Sequence, residues 1–317
     1  MPWAGSVDTI AELKAIPSQL RQDGFPLLVR SEADWFCYLS SSTQIADDVN
    51  VISPNQGTGH WLRVGLSRIR RKLNSSITIY VSNTGSDSNN GLSAGSPLLT
   101  IQAAIDRASQ LDIYPYTITI QIADGVYTGP IELKKVNGNV VLRGNLSNPS
   151  SVVIQASNVA SVITAAGVEN YKLESLRINS LVSGDLIRLD DSSISLKNIV
   201  LGTCLGSNSV LASNSKILAE NLFVAGAPNT GILLNLQKYS QLVVEGNVTA
   251  LSSFTVDTVL NCEFFSLADL RNTNFDADIY TITGKAFNVA TNSIITGATP
   301  FGSIAGTVDT TTYGQFV

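Results

Sequence analysis

YKLESLRI (171–178), ISLKNIVL (194–201) and ILAENLFV (217–224) are one pattern written three times, 23 residues apart. The recurring apolar set is Tyr171, Leu173, Leu176 and Ile178, then Ile194, Leu196, Ile199 and Leu201, then Ile217, Ala219, Leu222 and Val224. Spacing of i, i+2 is the period of a strand, whereas an amphipathic helix needs i, i+3, i+4. Each line breaks once, at Ser175, Asn198 and Asn221, and so reads as two short strands meeting at a corner. A unit of this length buries its apolar face only by stacking on its neighbours, which is the logic of a solenoid. The pattern predicts a right-handed parallel β-helix.

Working outward, the composition agrees. Of 317 residues 44% are hydrophobic and only 14% charged, which suits β-rungs joined by polar turns and argues against a helical bundle. A net charge of −5 gives a phosphate backbone no electrostatic support, so nucleic acid is excluded as the target. Cys37, Cys204 and Cys262 are scattered without CxxC spacing and read as packing residues of a protein made in a reducing cytoplasm. No basic n-region followed by an apolar run is visible, and no stretch approaches the ~20 apolar residues of a membrane span. Work outside the cell is therefore expected to follow lysis or assembly into a particle.

Residues 1–66 form a different module, holding Trp3, Trp35, Trp61 and the sole histidine, His60. Thr9-Ile10-Ala11-Glu12 has capping-box spacing and predicts a short helix ending near Pro17. Strand-like pieces follow at Pro26–Arg30, Trp35–Leu39, Val49–Ser53 and Trp61–Val64, giving a small α+β domain. His60 has no second histidine to share a metal or triad and reads as a packing or docking residue. Residues 67–76 are a basic connector whose four cations lack interleaved aromatics, so a solvated linker is preferred to a nucleic-acid patch.

Ile79–Leu92 reads as a strand and a polar loop. Ser96–Ala108 reads as a helix with Ile101, Ala104, Ile105, Ala108 and Leu111 on one face. The first rung of a solenoid leaves its core cross-section open, and this helix is the natural cap. The β-helix is then expected over 77–297. Its period loosens after Gly226 through Ile232–Leu236, Leu242–Val244 and Phe265–Leu270, with a last strand pair between Ala286 and Thr296. Residues 298–317 are left as a C-terminal cap or tail.

The run IYVSNTGSDSNNGLSAGSPLLTIQAAIDRA (79–108) resembles the opening of pectate-lyase-like β-helices, especially those of bacteriophage tailspikes. ADDVNVISPNQGTGHWLRV (46–64) resembles the modules that precede such helices in phage tail proteins. Together they cover about 50 residues directly and speak to architecture more than to activity. The resemblance implies a homotrimeric receptor-binding appendage, docked to the tail through its N-terminal domain, with a polysaccharide of the host surface as ligand. Val200, Leu211, Leu218, Phe223 and Val243 fall between inward positions and are expected to form one apolar outer face. A monomer would not normally expose such a face, which makes it the expected trimer interface.

Glycoside hydrolysis needs two carboxylates about 5 Å apart, or about 6.5–9.5 Å apart for inversion. Glu169, Asp190 and Asp191 are the catalytic candidates, because the 23-residue lattice puts Glu169 over Ser192, diagonal to Asp191. Asp and Ser are also ordinary turn formers, so a solvated turn stays open as the alternative. Asp185, Arg188, Tyr239 and Glu263, the last beside Phe264 and Phe265, are candidates for glycan contact. Tyr114, Tyr116 and Tyr127 offer further rings. Glu174, Lys197 and Glu220, one period apart, read as a cross-rung charge ladder. Asp87 alone is too few carboxylates for calcium, and neither metal nor cofactor is expected.

The sequence thus reads as a phage tailspike: homotrimeric, located in the virion tail, and binding host glycan. No convincing acid pair supports depolymerase activity. A secreted polysaccharide lyase or hydrolase is the alternative, disfavoured by the tryptophan-rich front module, and a structural virion decoration is the third reading.

Overall fold

The computed structural model describes residues 5–64, 71–226, 231–251, 254–275, 280–282, 285–296, 307–311 and 315–316. The chain divides between Lys72 and Leu73 into two compact units.

In the first unit Thr9 caps the helix Ile10–Ala15, its hydroxyl accepting the Glu12 amide at 3.2 Å. The Glu12 carboxylate reaches back to the Asp8 amide at 2.8 Å. Leu13 and Ile16 pack on one face of a five-stranded sheet ordered Ser6–Val7, Pro26–Val29, Asp34–Leu39, His60–Arg63, Val51–Ile52. That face contributes Leu27, Val29, Phe36, Ile52 and Trp61 to the core. His60 Nδ1 lies 3.0 Å from the Ser42 carbonyl, which gives the histidine a structural contact within this unit. Of the expected connector, residues 67–70 lie outside the described residues, and Arg71–Lys72 is a short strand.

The second unit is a right-handed parallel β-helix. Among the described residues its larger sheet stacks ten strands in file, from Ile77–Val81 to Gln315–Phe316, and bends at a corner. Ser193–Leu201 and Lys216–Val224 run through that corner unbroken. The predicted corner residues Ser175, Asn198 and Asn221 have φ of 55°, 52° and 55°, the left-handed region that Asn tolerates best among non-glycines. Asn221 Nδ2 donates to Asn198 Oδ1 at 3.2 Å, stacking one corner on the next. Among the described residues the second, flat sheet has eight strands, from Ile131–Leu133 to Thr307–Thr311. Side chains from both sheets fill one continuous core, including Leu173, Leu196, Ile187 and Leu234.

Where the flat sheet turns back into the bent one, a buried serine closes each of five successive rungs. Ser192, Ser215, Ser240, Ser266 and Ser293 stand in file, and each hydroxyl accepts the amide of the preceding rung at 3.0–3.3 Å. The first four also donate to a carbonyl two or three residues back, so these buried hydroxyls are satisfied.

The cap helix spans Ile101–Ser109 and buries Ile101, Ala104, Ile105 and Ala108 against the first strands. Leu111 lies beyond its end, in the short strand Leu111–Asp112, and packs half-buried on the core. Asp87 accepts the Leu99 and Thr100 amides and the Thr100 hydroxyl, all at 2.9 Å, and so fastens the loop to the helix start. At the other end, Thr307–Thr311 and Gln315–Phe316 extend both sheets within the expected tail. The remainder of 298–317 lies outside the described residues.

The five outward apolar residues do not share one face. Leu218 and Val243 are neighbours before the corner, Val200 and Phe223 pair after it, and Leu211 stands on the flat sheet between Arg188 and Asn235. Val200 is only 1% exposed, and the single-turn helix Pro149–Ser151 packs on its strand. The expectation of a contiguous strip fails because an outward residue beyond a corner points in a new direction, and one stretch of it is roofed by an upstream turn.

Candidate functional site

The expected catalytic trio does not assemble. Ala166 pairs with Asp190, 24 residues on, while Tyr171 pairs with Ile194, 23 residues on. The turn holding Glu169 is therefore one residue longer than the next, and Val168, not Glu169, meets Ser192. Glu169 is left exposed. Asp190 is held by Arg188 at 3.0 Å, and Asp191 accepts the Asn214 amide group at 2.6 Å. Asp185 is buried and takes both the backbone and side-chain N–H of Asn208, so it is a structural acid. Burial, first, drives its carboxyl above the ordinary value, against those two hydrogen bonds. Tyr127 is buried too, donating to the Ala123 carbonyl at 2.8 Å. Of the expected glycan contacts, Tyr239 and Glu263 reach one edge, on adjacent rungs, while Arg188 lies on the outer face of the flat sheet.

What the register does bring together is the outer face of the bent sheet before the corner. Gln121, Arg143, Glu174, Lys197, Glu220 and Glu245 stand in file on consecutive strands, about 4.8 Å from rung to rung. A second file holds Ser195, Leu218, Val243, Asp269 and Thr296. A third runs Ser193, Lys216, Gln241, Leu267 and Ile294. Glu245 was missed in the sequence because the rungs lengthen: it follows Glu220 by 25 residues, where a fixed period puts Val243. The signal that finds it is the serine column, whose steps run 23, 25, 26 and 27 residues.

The charge ladder stands in register, but only Lys197 and Glu220 pair across rungs as expected, and Arg143 and Lys172 rather than Lys197 engage Glu174. Arg143 Nε and Lys172 Nζ bind its two oxygens at 2.6 and 2.7 Å, and the residue is 6% exposed. Burial pushes its carboxyl upward, but the hydrogen bonds and charges of Lys172 and Arg143 win and hold it below its ordinary 4.5. A lowered folded value stabilises the fold above the ordinary carboxylate range, and this contribution is lost as pH falls through the lowered value. Thermal melts from neutral pH down to about pH 3 should therefore show the wild-type advantage over Glu174→Gln shrinking on acidification. An advantage that grows toward acid would refute the pairing. Farther along, Lys197 Nζ binds Glu220 at 2.7 Å, while Glu245 is exposed on the next rung.

A separate cleft of about 430 Å³ opens between the start of the cap helix and Val126–Ile131. Asn83, Thr100, Gln102 and Thr128 line it without a carboxylate or histidine, so it offers hydrogen bonds and no acid–base pair. Among the described residues no cluster of three or more His, Cys, Asp or Glu could hold a metal.

Neither a protein-family model nor a curated protein sequence matches the chain. Solved structures do. Escherichia coli YbhC is 14% identical with a TM-score of 0.47, over 91% of this chain and 86% of its own. Carrot pectin methylesterase is 12% identical with a TM-score of 0.45, over 75% and 88%. The tailspike gp49 of Acinetobacter baumannii bacteriophage Fri1, a capsular polysaccharide depolymerase, is 11% identical with a TM-score of 0.30, over 99% and 69%. At these identities the likeness is one of fold alone.

Proposed function

We propose that this protein binds a polysaccharide along the outer face of its bent sheet. The observation that carries the reading is the file from Gln121 to Glu245, in which charged and amide side chains repeat rung upon rung. A rigid, periodic polar surface, half-buried along most of the file and exposed at Glu245, suits a polymer whose hydroxyls also repeat. Exposed Leu218 and half-buried Val243 between the polar files suit the C–H faces of sugar rings. The net charge of −5 disfavours polyanions, so the fitting class is a neutral polysaccharide. Binding without cleavage is the expected activity, since Lys197 engages Glu220 and leaves Glu245 as the exposed carboxylate of the file.

Native electrophoresis through gels containing galactomannan, xylan, dextran or alginate tests this, with reducing ends assayed in parallel. Retardation in a neutral gel that persists at high salt, with no new reducing ends, is expected. Unretarded migration in every gel would overturn the reading, and new reducing ends abolished by Glu245→Gln would make the protein a hydrolase instead.

On this reading the protein is a tailspike, a homotrimer attached to a phage tail through residues 1–66 and presenting the sheet to a host-surface glycan. The resemblances of 46–64 and 79–108 and the separate core of the N-terminal unit support it. A solution mass three times the 33.7 kDa of the chain is expected, and a monomer at micromolar concentration would remove the trimer.

A further inference from the structure

The turn that carries the serine column changes character partway along the helix. Between the flat sheet and the buried serine it has one residue in the early rungs, Asp191 and then Asn214. It has two in the later rungs: Lys238–Tyr239, Phe264–Phe265 and Thr291–Asn292. All of these residues have φ between 48° and 64°. Asn and Asp occupy that region readily, whereas for a bulky ring it is a strained outlier. Tyr239, Phe264 and Phe265, on two successive rungs, nevertheless sit there. They gain no core burial in return, because Tyr239 is 64% exposed and Phe265 50%. Strained backbone that displays exposed rings points to a function for the rings.

Their geometry defines a site. Tyr239 and Phe265 stack with centroids 5.3 Å apart and planes 8° from parallel, so each covers one face of the other. On the two preceding rungs the turn is one residue shorter, Asn214 and before it Asp191, so Tyr239 has no counterpart there and the column steps from an aromatic wall to a polar floor. Asn214 Nδ2 donates to Asp191 Oδ1 at 2.6 Å, so Asn214 Oδ1 and Asp191 Oδ2 face solvent as acceptors. Acceptors on the floor select a ligand that donates, and a π face selects an apolar, weakly positive one. A pyranose ring meets both demands, with hydroxyls on its rim and C–H groups on its face. A few convergent polar groups beside an aromatic surface are the usual makings of a small-ligand subsite.

We propose that Tyr239, backed by Phe265, forms a stacking subsite for one sugar ring of a neutral polysaccharide, with Asp191 and Asn214 accepting its hydroxyls. This rests on the polysaccharide-binding reading and adds where one ring sits. The test is Tyr239→Asn and Phe265→Asn, singly and together, in the galactomannan, xylan and dextran gels described above, with melting temperatures measured alongside. Asparagine suits the left-handed backbone, so the variants should keep or raise the melting temperature while Tyr239→Asn loses at least tenfold in affinity. Asp191→Asn should weaken binding less. If wild type and Tyr239→Asn are retarded alike, the subsite is overturned and the wider reading stands. If wild type is retarded in no gel, both fall. A lower melting temperature in the double variant would show the rings to be structural, and would overturn the subsite as well.

Discussion

Gly184→Ala should lower the stability of the β-helix by about 3–5 kcal/mol, because two independent penalties meet at one atom. Gly184 has φ of +98°, a backbone that L side chains rarely adopt. A Cβ there would also lie 2.1 Å from the Val159 carbonyl oxygen and 2.9 Å from that of Ala160. Both obstacles are backbone, so no rotamer change relieves them. The next rung repeats the constraint, since a Cβ on Gly206 would stand 2.3 Å from the Gly184 oxygen. Successive turns touch here, and the Asp185 amide donates to the Ala160 carbonyl across the contact at 3.0 Å. Urea unfolding gives the comparison, with Gly95→Ala as reference because nothing lies within 4 Å of its Cβ position. Equal midpoints for the two variants would show that the turn accommodates a side chain and that this account of its packing is wrong.

Asn235→Leu should cost about 2–5 kcal/mol, for a different reason: it breaks a buried chain of amides. On the flat sheet Asn235, Asn261 and Asn288 stand in register. Asn288 donates to Asn261 at 2.5 Å, Asn261 to Asn235 at 2.9 Å, and Asn235 to Asn208 at 2.8 Å. Asn208 in turn binds Asp185. Asn235 is 5% exposed, so leucine there leaves the Asn261 amide and the Asn208 side-chain carbonyl buried without these partners. An orphaned buried polar group costs about 1–3 kcal/mol. Linked groups should also fail to add. Asn235→Leu with Asn261→Leu is expected to cost less than the sum of the two, because the second change removes an orphan that the first created. Strict additivity in urea unfolding would mean that the file is not one network.

Much of this molecule is legible in its residues. Strand direction follows from side chains alternating at i, i+2, and the corners from Ser175, Asn198 and Asn221, where asparagine tolerates what other residues resist. Both are local properties of a few residues, so they survive without knowledge of the fold. The cap helix follows likewise from the face Ile101–Ala108, although it opens at Ile101 rather than Ser96 and Leu111 continues the apolar period past its end.

The surface is another matter. Which outward residues meet depends on the length of every intervening turn, and one added residue moves a whole column. The longer turn at 167–170 carried Glu169 away from Asp191, and the lengthening after Gly226 set Glu245, not Val243, beside Glu220. Burial on the outer face depends on segments distant in the chain, as Val200 under Pro149–Ser151 demonstrates. Alternation and corner chemistry are written residue by residue and so determined the β-helix; the binding face is a sum of rung lengths and covering loops, and only the folded chain performs that sum.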